Sequence, residues 1–304
     1  MDKTARDHRA EKLMHCRPWS AAGALRHHAR GFRLAAVQLN VTLDPVDNLR
    51  RAAQGISVAA SEGASLVALP ECFVGRYGVA HFAKWAEVPG EFGGSAMMSA
   101  AARDAGIHVV GGIIESDEQA RCLFNTILMY GPDGSLAAKY RKVHLSRVMG
   151  ITSESDVLTP GDAPVAVQCE PSDGPNYRSG LACCFDLRFP ALLSQYGPTK
   201  SAYGPVDVVV APSAFLDTTG RDHWELLLRR TALDTQAFVL APNVAFAEDD
   251  TIPLHGRSMV VGPWGDVLAE CEHVGDGVAI AEASFDRLAE VRAELPLATA
   301  SRWP

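Results

Sequence analysis

The sequence of 304 residues has few of the features that mark specialised classes of protein. Its longest nearly apolar stretches, such as 206–216 and 109–114, fall well short of the roughly 18 residues that a membrane-spanning helix needs. The seven cysteines are odd in number and form no CxxC pair, which suits a reducing compartment better than a disulfide framework. We therefore predict a cytoplasmic protein that is not integral to a membrane.

The signatures of several common enzyme classes are also missing. There is no GxSxG elbow, no GxxxxGK[ST] loop, no GxGxxG after the first strand and no HExxH, so serine hydrolases, nucleotide-binding proteins and zincins lack their motif. The six histidines that follow residue 31 show no metal-ligand spacing. We predict chemistry that uses no metal and no cofactor.

Charge is unevenly distributed along the chain. Residues 1–31 contain seven Lys or Arg and three acidic residues, so the remaining 21 basic and 33 acidic residues give the body a charge of -12, against -8 for the whole chain. An acidic body without a basic block argues against nucleic-acid binding. We predict a disordered basic extension over 1–31 and one domain over 32–304. An Arg-rich leader can be a mitochondrial transit peptide, but such peptides avoid the acidic residues found here.

Apolar segments from residue 32 onward alternate between strand and helix patterns. The predicted strands and hairpin strands are 32–40, 65–71, 107–115, 124–134, 135–143, 177–186, 206–215, 237–246, 258–268 and 278–284. The predicted helices are 45–61, 94–105, 189–196, 221–237 and 285–294. No linker divides this region, so the pattern predicts one α/β domain with two packed sheets flanked by helices.

Four reactive side chains lie at the ends of predicted strands, where α/β sheets usually place their ligand sites. They are Glu71, Glu115, Lys142 and Cys184. Each alone has an ordinary explanation, as a solvated strand end, an edge charge or a small buried residue. Together they form a complete set for acyl transfer. An ammonium favours the thiolate, a carboxylate moves the proton, and the ammonium with the backbone N–H of Phe185 can stabilise an oxyanion.

Three segments carry a family resemblance. The sequences LPECF at 69–73, KYRKVHL at 139–145 and CCFDLRFP at 183–190 resemble the signature segments of the nitrilase superfamily of carbon-nitrogen hydrolases. The resemblance extends over about 270 residues and is greatest to the omega-amidase branch. It implies a four-layer α-β-β-α sandwich and a homodimer.

The resemblance also implies a role for each reactive side chain. Glu71 is the general base, Lys142 stabilises the oxyanion, Cys184 is the nucleophile, and Glu115 matches the second glutamate that orients the lysine and substrate. Cys184 is preferred over Cys183 because only Cys184 is followed by an aromatic residue, Asp and then Arg with the family spacing. Cys183 is then a core residue.

Omega-amidases hydrolyse the terminal amide of dicarboxylic monoamides such as 2-oxoglutaramate and 2-oxosuccinamate through a thioester. Their loop motifs resemble GITSES at 150–155 and TPGD at 159–162, although the loop is shorter here. Arg188 is the candidate for binding the remote carboxylate, and its alternative is an ion pair with Asp186 or a helix C-terminus. Phe185 and Tyr77 are further pocket candidates, and Tyr77 can equally be core packing.

Two alternatives stay open from the sequence. The closely similar amidases that act on deaminated glutathione share the segments PSAF, GxxHWE and HGxSMVVxPWG, so these segments do not separate the two activities. A separate departure is Thr231, which stands where relatives usually have Arg. A protein of another class could use the same fold as a catalytically silent binding scaffold. The intact set of reactive side chains argues against a scaffold, because buried charges are costly unless they have a use.

Overall fold

The computed structural model describes residues 31–147, 153–199, 201–247 and 252–300, together with the backbone of Met14–His15. The predicted disordered extension therefore lies outside the described residues, apart from that two-residue strand and Gly31. No helix in the described ranges is both long enough and apolar enough to cross a membrane.

Thirteen strands form two sheets in the described residues. In chain order they are β1 (Met14–His15), β2 (Gly31–Gln38), β3 (Leu66–Ala68), β4 (His108–Asp117), β5 (Cys122–Tyr130), β6 (Leu136–Arg141), β7 (Val165–Cys169), β8 (Tyr177–Leu181), β9 (Val208–Val210), β10 (Phe238–Ala241), β11 (Met259–Val261), β12 (Val267–Glu270) and β13 (Gly277–Ser284). The first sheet has the order β13-β2-β3-β4-β5-β6, and the second has the order β1-β12-β11-β10-β9-β8-β7.

Seven α-helices accompany these strands in the described ranges: α1 (Pro45–Ser61), α2 (Val79–Trp85), α3 (Gly93–Ala105), α4 (Pro190–Leu193), α5 (Asp217–Thr235), α6 (Phe285–Glu294) and α7 (Leu297–Ala300). Helices α1 and α3 pack on the first sheet, and α5 packs on β10 and β11 of the second. The buried side chains of α5, including Trp224, Leu228 and Ala232, recur every four residues and so form one face.

Strand β2 shows how the layers are arranged. Leu34 and Ala36 belong to the core between the two sheets, whereas Ala35 and Val37 belong to the core beneath α1 and α3. Successive side chains of a strand point to opposite faces, so a strand that is buried on both faces reads as a continuous apolar run. The predicted α-β-β-α sandwich is confirmed.

The structure corrects several element boundaries. The predicted strand over 258–268 is a hairpin, because Gly262 donates its backbone N–H to Asp266 and Gly265 turns the chain with a positive φ. Helix α5 begins at Asp217, four residues earlier than predicted. Strand β7 and helix α2 were missed, since neither short segment has a pronounced apolar period.

Candidate active site

Three chain segments that leave strands bring the predicted reactive residues together. Glu71 lies three residues after β3, Lys142 lies directly after β6, and Cys184 opens a 3-10 turn that follows β8. The backbone of Cys184 has a φ of +45°, in the left-handed region, and its N–H donates to the carbonyl of Pro212 at 3.1 Å. Non-glycine residues in this region commonly occur at functional sites, where the surrounding structure holds the strain. Here the strained turn presents the thiol to the two buried charged groups.

Glu71 is fully buried and both of its carboxylate oxygens are hydrogen-bonded. Oε1 accepts from Lys142 Nζ at 2.8 Å, from Asn125 Nδ2 at 2.6 Å and from the thiol of Cys183 at 3.3 Å, while Oε2 accepts from the N–H of Ala214 at 2.8 Å. Burial raises the pKa of Glu71, but the charge of Lys142 and the hydrogen bonds from Lys142 and Asn125 outweigh burial, so the pKa is lowered. Glu71 is therefore an ionised base at neutral pH.

Lys142 is the buried cation of the site. Its Nζ lies 2.8 Å from Glu71 Oε1 and 2.9 Å from Glu154 Oε2, and its side chain is 0% exposed. Burial acts to lower the pKa of Lys142, but the charges of Glu154 and Glu71 raise it well above its ordinary value. The ammonium is thus permanent and fixed in position, as stabilisation of a developing oxyanion requires.

The Cys184 thiol is buried in the same cluster as Glu71 and Lys142. Burial and the negative charge of Glu71 raise its pKa well above the ordinary value, although the Lys142 ammonium acts in the opposite direction. The ammonium therefore favours the thiolate, as expected, but burial and the charge of Glu71 oppose it. Cys184 rests as a thiol beside an ionised carboxylate, and a proton must move to Glu71 when the sulfur attacks.

Glu154 is a member of this cluster that the sequence reading did not assign. It is buried, and its Oε1 accepts from Lys142 Nζ at 3.0 Å and from the hydroxyl of Tyr77 at 3.0 Å. Its Oε2 accepts from the N–H of Ser146 at 2.6 Å. The segment GITSES contained the signal, because its glutamate follows Lys142 by only 12 positions. Residues 150–152 of that segment lie outside the described part of the chain.

Glu115 does not contact Lys142. Its carboxylate pairs with Arg141 at 2.6 Å and with Lys139 at 2.9 Å, and it accepts from the hydroxyl of Thr126 at 2.7 Å. Burial raises the pKa of Glu115, but the hydrogen bonds from Arg141, Thr126 and Lys139 produce a net lowering. The expectation that Glu115 orients the lysine is corrected: the structure gives that position to Glu154.

A pocket of about 370 Å³ opens beside Cys184. Its walls include Tyr77, Phe185, Arg188, Phe215 and Arg147, so the three predicted substrate-binding residues all line it. Tyr77 is also a polar partner of the buried cluster through its bond to Glu154. Thr231 is not among the lining residues and bonds to the Leu227 carbonyl within α5.

Arg188 has no carboxylate within salt-bridge distance in the described part of the chain. Its guanidinium carbon lies 5.0 Å from the centre of the Phe215 ring, and its Nη1 lies 3.1 Å from His223 Nδ1. The alternative ion pair with Asp186 does not form, because Asp186 is bonded to Tyr140 at 2.6 Å and to His144 at 2.8 Å. A cation facing a small pocket without an acidic partner is suited to an anionic group.

Comparisons with known proteins agree on the family. A model of the carbon-nitrogen hydrolase family matches residues 33–293. Omega-amidases NIT2 of Homo sapiens and NIT2-A of Xenopus laevis are each 39% identical to this chain over 271 residues, which is 88% of this chain and 93% of each relative.

Solved structures of the same superfamily share the fold. Nit3 of Saccharomyces cerevisiae, a member of branch 10 of the nitrilase superfamily, gives a TM-score of 0.79 at 32% identity over 92% of this chain and 100% of its own. An amidase from Nesterenkonia sp. gives 0.70 at 25% identity over 90% and 98%. The chain belongs to the carbon-nitrogen hydrolase family of the nitrilase superfamily, and it is an enzyme that hydrolyses carbon-nitrogen bonds other than peptide bonds.

Proposed function

We propose that this enzyme hydrolyses the terminal amide of small dicarboxylic monoamides, the 2-oxoglutaramate and 2-oxosuccinamate class, to the acid and ammonia. The observation that carries the proposal is a buried cluster of Cys184, Glu71 and Lys142 that opens on a pocket, in which Arg188 has no acidic partner among the described residues. The similarity to omega-amidases over 88% of the chain supports the same substrate class.

In the acylation half of the reaction, Glu71 accepts the thiol proton as the sulfur of Cys184 attacks the amide carbon. The carbonyl oxygen becomes an oxyanion, which the Lys142 ammonium and the backbone N–H of Phe185 stabilise. The tetrahedral intermediate then breaks its carbon-nitrogen bond, and Glu71 returns the proton to the departing nitrogen so that ammonia leaves. The product is a thioester on Cys184.

In the deacylation half, water occupies the place of the departed ammonia. Glu71 takes a proton from this water as its oxygen attacks the thioester carbon, and the second oxyanion uses the same donors as the first. When the carbon-sulfur bond breaks, the proton passes from Glu71 to the Cys184 sulfur and the acid is released. Glu154 acts through Lys142 by holding Nζ in place, as the 2.9 Å contact supports.

Substrate selection depends on the far end of the pocket. Arg188 and Arg147 both line it, and Arg147 is exposed at the rim, whereas Arg188 lies deeper between aromatic rings. A volume of about 370 Å³ falls at the small end of the usual range for ligand sites. A monoamide of about ten non-hydrogen atoms, with its amide at Cys184 and its carboxylate at Arg188, satisfies both ends of the pocket.

The covalent mechanism is tested by mass spectrometry of the acyl-enzyme and by ammonia release. Cys184→Ala should abolish the acyl adduct and lower ammonia release by roughly three orders of magnitude or more. Cys122→Ala removes a cysteine remote from the pocket and serves as the matched control. An adduct that persists in the Cys184 variant, or that maps to another peptide, overturns the mechanism.

The role of Arg188 is tested with two substrates that differ only in charge. In Arg188→Met, kcat/KM for a dicarboxylic monoamide should fall roughly tenfold to a hundredfold, the scale of one charge-assisted hydrogen bond. Its activity on an uncharged amide of the same length should stay close to that of the parent enzyme. Equal losses on the two substrates contradict the assignment of the carboxylate subsite.

A substrate panel separates the remaining functions. It compares 2-oxoglutaramate, 2-oxosuccinamate, deaminated glutathione and a simple nitrile, and preference for deaminated glutathione would replace the proposed class. Turnover of none of them would overturn the proposed substrate class. The homodimer stays a prediction. Light scattering coupled to size-exclusion chromatography measures the molar mass of the protein in solution and tests it directly.

A further inference from the structure

A second cluster of potential ligands lies behind the wall of the pocket. Asp217 Oδ1 is 3.1 Å from His255 Nδ1 and 3.8 Å from His273 Nε2, and one ligand atom from each of the three residues falls within 4.8 Å of the others. We propose that these three residues form a zinc site. None of them belongs to the machinery that acts on the amide.

The two distances from Asp217 fit a four-coordinate metal. Zinc binds imidazole nitrogen and carboxylate oxygen at about 2.0 to 2.2 Å in tetrahedral geometry, so its ligand atoms lie about 3.3 Å from one another. The two distances from Asp217 Oδ1, 3.1 and 3.8 Å, bracket that value. A donor set of two imidazoles and one carboxylate suits zinc better than magnesium or calcium, which prefer sites made entirely of oxygen.

The second sphere fixes the orientation of the ligands. His273 Nδ1 lies 2.7 Å from the carbonyl of His255, so this nitrogen carries the proton and Nε2 keeps its lone pair on the side of Asp217. The His273 ring also stacks on Phe246, with ring centres 4.5 Å apart. Metal-ligating histidines characteristically donate their other N–H to a carbonyl or carboxylate in this way.

The two carboxylate oxygens of Asp217 have different partners. Its Oδ2 accepts from Arg221 at 2.6 Å, which leaves Oδ1 to face both imidazoles. Arg257 also lies near His255, but its own guanidinium is paired with Glu270 at 2.6 Å. Arg257 is thus compensated by a carboxylate outside the cluster and opposes a cation less than a free charge would.

His255 is the most buried of the three ligands, at 4% exposure. Its Nε2 is buried without a hydrogen-bond partner in the described residues, so the polar contact of the ring is made through Nδ1, which faces Asp217. His273 is 37% exposed, which leaves a path for the ion and for a water as fourth ligand.

The site would join three segments that are distant in sequence. Asp217 is the first residue of α5, His255 lies in the segment before β11, and His273 lies between β12 and β13. The pocket-lining residues Leu216 and Ile252 lie within three positions of Asp217 and His255. A bound zinc would hold this wall of the pocket and stabilise the native state, since it binds the folded protein and not the unfolded chain.

The test is the thermal stability of the full chain with and without zinc. Free zinc at about 100 times its Kd should raise the Tm by about 5 °C, and magnesium should leave it unchanged. His273→Gln should lose the zinc response and bind one equivalent less in equilibrium dialysis. His81→Gln removes a histidine elsewhere and should keep both.

Two further comparisons make the outcome decisive. The other histidines and Cys184 are the same in the parent enzyme and in His273→Gln, so any zinc that they bind does not contribute to the difference. His273→Glu restores a ligand and should recover most of the response even if His273→Gln is less stable. An unchanged zinc response in His273→Gln, or no response in the parent enzyme, refutes the site.

Discussion

Two clusters of carboxylates and cations lie on opposite faces of the first sheet, and both take their cations from the end of β6. On one face, Lys139 and Arg141 contact Glu115, with 40% and 27% of their side chains exposed. On the other face, Lys142 contacts Glu71 and has no exposed surface. The same charges therefore occur in two environments that differ mainly in access to water.

This difference in solvation separates a structural ion pair from a reactive one. Coulomb interactions near the surface are weakened by water, whereas the same interactions in a water-excluded site are several times stronger. Around Glu115 the charges only offset one another and hold the sheet edge. Around Glu71 they keep a carboxylate ionised and an ammonium fixed beside a neutral thiol, so the buried cluster can move a proton and stabilise an oxyanion.

The largest expected effect on activity comes from removing the charge of Glu71, with removal of the charge of Glu115 as the comparison. Glu71→Gln should lower kcat/KM by roughly 10² to 10⁴, the range of a lost general base. Glu115→Gln, the matched variant on the opposite face, should stay close to the parent enzyme in steady-state ammonia release. Similar losses in the two variants would show that the environments do not differ as the burial indicates.

The cations give the next largest effect. Lys142→Met should lower kcat by roughly 10² to 10³, because it removes an oxyanion donor. Lys139→Met removes a cation three positions away on the other face and should change kcat little. Circular dichroism must show that both variants are folded, since loss of a buried partner leaves Glu71 and Glu154 uncompensated. A folded Lys142 variant with full activity would contradict its role.

The contrast between the faces explains what the sequence could predict. Strand ends and the three motifs brought Glu71, Lys142 and Cys184 together correctly, because regular strands fix where their last residues lie. The sequence prediction did not identify Lys139 and Arg141 as the partners of Glu115, even though strand alternation places these two residues on one face and Tyr140 on the other. The alternation in KYRK at 139–142 already separates Lys139 and Arg141 from Lys142, whereas the family resemblance assigns a role to Lys142 alone.

Other features depended on contacts that no local pattern encodes. Glu154 reaches Lys142 only because its short 3-10 turn folds back over the end of β6. The imidazoles of His255 and His273 lie 18 positions apart in the sequence and approach each other through two separate loops. Spacing rules for metal ligands apply within one helix or hairpin, so a search by spacing could not find this cluster.

A smaller effect is expected from the carboxylate that acts through the lysine. Glu154→Gln removes a charge but preserves the shape of the side chain, so kcat should fall roughly tenfold, the scale of one charge-assisted hydrogen bond. KM should change little, because Glu154 positions Lys142 and is not expected to contact the substrate. A change in KM alone would place Glu154 in substrate binding and contradict the positioning role.

The smallest expected effect is the change with pH in the contribution of the Glu115 carboxylate to the free energy of unfolding. The pKa of Glu115 is lowered in the folded state, so its ionised carboxylate stabilises the fold above the ordinary pKa near 4.5, and this contribution is lost as pH falls through the folded-state value. The difference in free energy of unfolding between the parent enzyme and Glu115→Gln should therefore shrink between neutral pH and pH values below 4.5. Urea denaturation at a series of pH values measures it.

Glu87 supplies the control with the opposite sign. It is buried, and burial raises its pKa despite the hydrogen bonds that it accepts from Gly94 and Ser95. The folded protein then binds the Glu87 proton more tightly than the unfolded chain, so acidification favours the fold through this group. The parent enzyme should gain stability relative to Glu87→Gln as pH falls towards the ordinary value near 4.5, and it should lose its advantage over Glu115→Gln only as pH falls further. If the two differences in free energy of unfolding instead change in the same direction with pH, ion pairing does not determine the direction of the pKa shift at Glu115.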